Sequence, residues 1–243
     1  MSPLRRLALL IPVILVAATA VALGRWQLRR LHARRASNSI LLSARAKPPL
    51  QLPADLLRGT PVDSGRRVAA RGHFDPAHQI IVRGRVQDDA PGVQIVTPFV
   101  LDSDAGVLWV LRGFVRSPDA VTPPDSVPQP VLGDVIVSGL ALAVPLTADS
   151  GQPLVHNGST TWKRLDRAML ARRQPRSLPV YLLLAGDSAG PGRLALVAPS
   201  VLDDGPHLSY AIQWFGIALA VLSFGAVMLW RDGRARPQHP GAP

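Results

Sequence analysis

"GPHLSYAIQWFGIALAVLSFGAVMLWR", Gly205–Arg231, decides the fold class, because from Ala211 to Trp230 it runs twenty residues without a charge. About twenty apolar residues are what a helix needs to cross the hydrocarbon core of a bilayer. The entrance to this run is not apolar: His207, Tyr210, Gln213 and Trp214 crowd it. On a helix His207, Tyr210, Ala211, Trp214 and Ala218 fall on one face. An interfacial aromatic belt accounts for Tyr210 and Trp214. It accounts less well for His207 and Gln213, since polar groups at a span turn toward protein or a ligand.

Outward from this stretch, a second apolar run occupies Leu7–Leu23, seventeen residues preceded by Arg5 and Arg6, and reaches spanning length if Gly24–Trp26 extend it. Ala20-Val21-Ala22 also fits the cleavage site of a signal peptide. The arginines that follow directly, Arg25, Arg29, Arg30, Arg34 and Arg35, oppose export and cleavage, so a retained anchor is the favoured reading. Asp203 and Asp204 precede the C-terminal span, while Arg231, Arg234 and Arg236 follow it, which orients the C-terminus to the cytoplasm. Two spans place the N-terminus there as well. The expected layout, in a bacterial cell membrane, is a cytoplasmic N-terminus (1–6), a transmembrane helix (7–26), an extracytoplasmic β-rich domain (27–206), a second transmembrane helix (207–230) and a cytoplasmic tail (231–243).

The net charge of +11 follows the same layout. Residues 1–35 hold seven arginines and no acid, whereas 36–206 hold seventeen basic residues against fifteen aspartates. The central domain is therefore nearly neutral and the excess flanks the spans, where lipid headgroups are the partner. A nucleic-acid partner is not expected, because that reading needs a basic face on the domain. The absence of cysteine excludes disulfides, thiolate metal sites and covalent haem attachment.

Between the spans, short Val/Ile/Leu-rich segments recur between turn signals: 67–72, 79–82, 93–101, 107–115, 135–142, 180–184 and 194–198. They predict a mainly antiparallel β (α+β) domain flanked by the two transmembrane α-helices. "DSDAG", 102–106, reads as a hairpin loop, 162–172 as one helix, and the proline-rich 117–130 as an extended loop.

The chemistry gathers at the spans. Gly24 with Ala20, and Gly216 with Ala220, give small-residue spacings suited to close packing of the two helices. If Leu23 and Ile212 mark one boundary, His207 stands about 7–8 Å above it, level with residues 28–30. An imidazole would then meet guanidiniums of Arg29 or Arg30, with Trp26, Gln27, Tyr210, Gln213 and Trp214 nearby. That set suits a flat amphipathic anion with a metal centre: His207 for iron, arginine for carboxylates, aromatic rings for the macrocycle. Haem is such a ligand, and His32 is a candidate second axial ligand. His73 and His78, five apart around Asp75-Pro76, form a weaker metal pair. No nucleophile signature is present, so no catalytic residue is assigned and an enzyme is not expected.

Several blocks carry a resemblance: "LGRWQLRRLHARR" (23–35), "VAARGHFDP" (68–76), "GVQIVTPFVL" (92–101), "VLWVLRGFV" (107–115), "GDVIVSGLA", "TTWKRLD" and "HLSYAIQWFGIA". Together they resemble, in order and over almost the whole chain, the Surfeit locus protein 1 family. The resemblance implies an assembly factor for haem-copper cytochrome c oxidase, a chaperone of the respiratory chain that assists transient insertion of haem a into the large subunit, with His207 as haem ligand. Departures from the family pattern are Leu111 in place of asparagine, "LHAR" in place of a Trp-Lys pair, and Gly205-Pro206 ahead of His207. The alternative is a cofactor-free scaffold that stabilises an oxidase intermediate, with Arg112, Gly113 and Phe114 as the partner surface. A second copy of the chain is a further candidate partner.

Overall fold

Hydropathy alone would stop the first helix near Trp26, but the polar turns that follow remain helical. The computed structural model describes residues 3–124, 127–146, 151–156, 159–185 and 194–234, and in it α1 runs unbroken over Pro3–Ala46. The first apolar run and the arginine-rich stretch after it are thus one element. The chain divides into two compact units, residues 1–39 with 202–243, and residues 40–201.

The first unit is a pair of antiparallel helices, α1 and α4 (His207–Arg234), while the short helices α2 (Ala54–Leu57) and α3 (Arg167–Arg173) belong to the second. Both are long and apolar enough to cross a membrane, and most of their large side chains are exposed, as lipid-facing residues are. Buried or half-buried positions on α1 recur at alternating steps of three and four: Leu10, Val13, Ala17, Ala20, Gly24, Gln27 and Leu31. The matching positions on α4 are His207, Ala211, Trp214, Ala218, Val221 and Gly225. This is the seam of a left-handed helix pair, narrowed by small residues so that the backbones approach. A Cβ added to Gly24 would lie 2.8 Å from the Phe215 ring, and one on Gly225 2.8 Å from a Val13 methyl. The expected Gly216/Ala220 contact is not the one used. Gly216 has nothing within 4 Å of where a Cβ would stand, and Ala220 is exposed, because the seven-residue repeat selects Ala211, Ala218 and Gly225 instead.

Above the seam the unit is clasped by polar groups. Asn38 Nδ2 and Arg34 Nε donate to the Asp203 carbonyl at 2.8 and 3.3 Å, and Arg35 reaches the Asp204 carboxylate at 2.7 Å. The Arg35 hydrogen bond holds the Asp204 carboxyl below the usual carboxylate range, and the same contact raises Arg35.

The second unit is built around β5 (Val107–Arg116), whose first eight residues are all buried. Alternate side chains serve two cores: Leu108 and Val110 join Phe99 and Leu182 on one side, while Trp109 and Leu111 join Met169 and Leu170 on the other. The neighbours are β1 (Leu50–Leu52), β2 (Arg67–Phe74), β3 (Ile80–Gln87), β4 (Ala90–Leu101), β6 (Val135–Ala143), β7 (Leu154–His156), β8 (Ser159–Trp162) and β9 (Ser177–Leu184). Their order among the described residues is β1-β2-β6-β9-β5-β4-β3-β8-β7. An additional β2–β4 pairing closes β2, β6, β9, β5 and β4 into a small barrel around the Phe99 core. Closure removes the open edges that such strands would otherwise present. Most pairings are antiparallel; β1–β2, β3–β8 and β5–β9 are parallel.

The loop at 102–106 does join a hairpin, β4 to β5, and the described part of 117–130 contains no strand. Two expectations shift. The helix expected at 162–172 is α3, Arg167–Arg173: Trp162 pairs with β3, and Asp166 sets the start by accepting from the Met169 N–H at 2.7 Å. The segment expected as a strand at 194–198 makes one bridge, Ala195 to Phe114. Gly113 permits it, since a Cβ there would lie 2.5 Å from Leu194.

Candidate cofactor site at the helix pair

His207 is the first residue of α4 and is aimed by what precedes it. Gly205 takes a left-handed φ of +65°, which glycine adopts without cost, and the Pro206 carbonyl accepts from the Tyr210 N–H at 3.1 Å and the Ser209 hydroxyl at 2.8 Å. The turn directs the imidazole to α1, where Nδ1 meets Gln27 Oε1 at 2.9 Å. An amide oxygen only accepts, so Nδ1 is the donor, and the neutral ring then keeps its lone pair on Nε2. A Cβ at position 205 would stand 3.7 Å from that nitrogen.

Level and facing differ in part from the sequence expectation. His207 sits opposite Gln27, just below the 28–30 level. Successive helical residues turn by about 100°. Trp26 and Arg30 therefore occupy one flank of α1, consistent with the Arg30 guanidinium lying 5.8 Å from the Trp26 ring centre. In an antiparallel pair this flank adjoins the one that carries Tyr210 and Gln213 on α4. Trp26 and Tyr210 are each 47% exposed, so both offer ring surface beside His207. Trp214 lies in the seam, half-buried. Arg29 does not join them: two residues from Gln27, it points away from α4, so of the two arginines only Arg30 fits the His207 side. His32 is exposed on the opposite flank and is not placed as a second ligand.

The residues expected as a partner surface in the β unit are interior. Phe114 is 4% exposed and Arg112 7%. Arg112 donates to Gln79 Oε1 at 3.2 Å and to the Pro128 carbonyl at 2.8 Å, and its guanidinium lies 5.9 Å from the Phe74 ring centre. Burial pushes its pKa down to about 10, so it remains charged at neutral pH, with no carboxylate partner among the described residues. These side chains brace the barrel, and Gly113 admits the 194–195 segment. His78 Nδ1 is bonded to Asp75 at 2.6 Å, which also accepts from Gln174 at 3.0 Å, and no group of three metal-ligating side chains occurs among the described residues.

Two features escaped the sequence reading. One is the clasp to Asp203 and Asp204, whose partners lie far apart in the chain. The other is a cavity of about 710 Å³ in the β unit, lined by Arg45, Gln51, Arg67, Leu140, Leu183 and Val197 among others.

The family model described as the SURF1 family matches residues 14–219, a range that includes Gln27, the whole β unit and His207. The chain belongs to the SURF1 family. It is 30% identical to a SURF1-like protein of Mycobacterium tuberculosis over 227 residues, 91% of this chain and 82% of that protein. It is 29% identical to Surfeit locus protein 1 of Rattus norvegicus over 226 residues (86% and 71%), and 28% identical to the Homo sapiens protein over 227 residues (86% and 73%). SURF1 family proteins are assembly factors, not enzymes, and are linked generally to cytochrome oxidase assembly.

Proposed function

We propose that this SURF1 family member assists the insertion of haem a into the large subunit of a haem-copper cytochrome c oxidase, holding the cofactor transiently beside its helix pair. The observation that carries the reading is the His207–Gln27 contact, which engages Nδ1 and leaves Nε2 as the nitrogen for a ligand at the mouth of the helix pair. The residues present fit the group. His207 offers the nitrogen, Arg30 a guanidinium for a carboxylate, and Trp26 and Tyr210 flat apolar surface, with Gln213 on the same flank. Haem a, when bound, supplies an iron centre and carboxylates for these groups to hold.

The topology that suits this role has both termini in the cytoplasm of a bacterial cell and residues 40–201 outside it. Support comes from the arginines after α4 and the aspartates before it. The protein purified from cells that make haem a should show a Soret band typed as haem a by pyridine haemochrome, and His207→Ala should weaken it. Full haem retention by that variant would remove His207 from the role.

The scaffold reading is favoured by a different observation, the open, largely apolar cavity of the β unit, which offers a partner segment a place that needs no cofactor. Under that reading the protein would capture the oxidase large subunit in cells unable to make haem a, with no chromophore bound.

A further inference from the structure

We infer that Gln27 is a positioning residue for His207: by accepting a hydrogen bond at Nδ1 it fixes the tautomer in which Nε2 carries the lone pair. The inference rests on the haem-carrier reading for its purpose, while its geometry stands independently. A ligating histidine gains orientation and basicity from whatever accepts its other N–H, and loss of that partner typically weakens metal affinity by about 10- to 100-fold. Carboxylates and backbone carbonyls are the common acceptors. Here the acceptor is a side-chain amide 180 positions away in the chain, 2.9 Å from Nδ1.

Three observations make this contact more than an incidental bond. Gln27 occupies a seam position on α1, where the steps of three and four reserve every other site for apolar or small residues, so a polar side chain there is unusual. An amide in such a seam needs a partner, and His207 is the one it has. Nε2 also lies beside Gly205, where a Cβ would be 3.5 Å from Cδ2 and 3.7 Å from Nε2, in ordinary van der Waals contact. The positive φ of Gly205 and the direction of the His207 ring are thus two consequences of one turn. A solitary histidine prefers to hold its proton on Nε2, the tautomer in which the ligating edge is blocked. The amide of Gln27 reverses that preference before any iron arrives.

The test uses the full-length protein in lipid nanodiscs with ¹⁵N-labelled histidine, the His207 signals being identified by their loss in His207→Ala. Two-bond ¹H–¹⁵N correlation should show a protonated Nδ1 and an unprotonated Nε2 in the wild type. In Gln27→Leu the population should move to the Nε2–H form; in Gln27→Glu, which keeps an acceptor, it should not. An unchanged tautomer in Gln27→Leu overturns the inference. Titration with haem a provides the second readout: Gln27→Leu should bind about 10- to 100-fold more weakly, with affinity recovered in Gln27→Glu. If the tautomer responds to Gln27→Leu while haem a binds wild type, Gln27→Leu and His207→Ala equally, the positioning stands and the haem-carrier reading falls.

Discussion

The two units solve the burial of polar groups in opposite ways. In the β unit the buried polar side chains are spent on the fold: Arg112 braces a loop carbonyl and Gln79, Asp166 caps a helix, and Trp109 donates to Ser177 at 2.8 Å. In the helix pair, packing is done by alanine and glycine, and the residues at its mouth keep Nε2 of His207 outside the Gln27 contact and the rings of Trp26 and Tyr210 half exposed. A buried polar group that is fully satisfied specifies structure, whereas one with remaining capacity is available to a ligand. That difference locates the candidate chemistry at the helices.

The largest expected effect sharpens the contrast directly. Trp109 is fully buried, so Trp109→Ala should cost about 3–5 kcal/mol in chemical denaturation followed by near-ultraviolet circular dichroism of the β unit. His207→Ala should shift the same transition by no more than about 0.5 kcal/mol. Next, Gly24→Leu should force the Phe215 ring from the seam at a cost of about 1–3 kcal/mol. Disulfide crosslinking between cysteines placed at Val13 and Gly225 would report the loss of helix pairing, and a second change, Phe215→Ala, should recover it. Failure of that rescue would show that the seam does not run through Gly24.

In the β unit, Arg112→Met should cost about 1–3 kcal/mol, because Gln79 Oε1 and the Pro128 carbonyl lose their donor. A large loss of oxidase binding with unchanged stability would instead return Arg112 to the partner surface. The smallest effect belongs to the exposed clasp. The folded-state pKa of Asp204 is depressed, chiefly by its hydrogen bond from Arg35, so the pair contributes fully above the ordinary carboxylate range and is lost as pH falls through the depressed value. Arg35→Ala should bring the Asp204 titration, followed by carboxyl ¹³C shifts, back up toward that range.

Sequence reading reached the architecture because the decisive signals are local. Charge-free runs mark the helices, and Val/Ile-rich segments between turn residues mark β2 to β6. It could not reach the parallel pairing of β9 with β5, or the β2–β4 contact that closes the barrel, since neither leaves a local signature. The same limit governs the site. His207, Trp26, Gln27 and Tyr210 stand out as polar and aromatic residues next to apolar runs, but the choice between Arg29 and Arg30 depends on which way α1 faces α4. The steps of three and four from Ala17 through Leu31 hold that information. Arg112 misled for the complementary reason: a "LRGFV" block reads as exposed until the approach of residues 194–195 to Gly113 is known.

The central claim, that cofactor chemistry belongs to the helix pair and not to the β unit, is tested most directly by comparing haem a affinity in two full-length variants. His207→Ala removes the free nitrogen, and Ala69→Phe fills the cavity of the β unit. Loss of haem a binding in His207→Ala with wild-type affinity in Ala69→Phe is the predicted result; loss in Ala69→Phe with full binding in His207→Ala would contradict it.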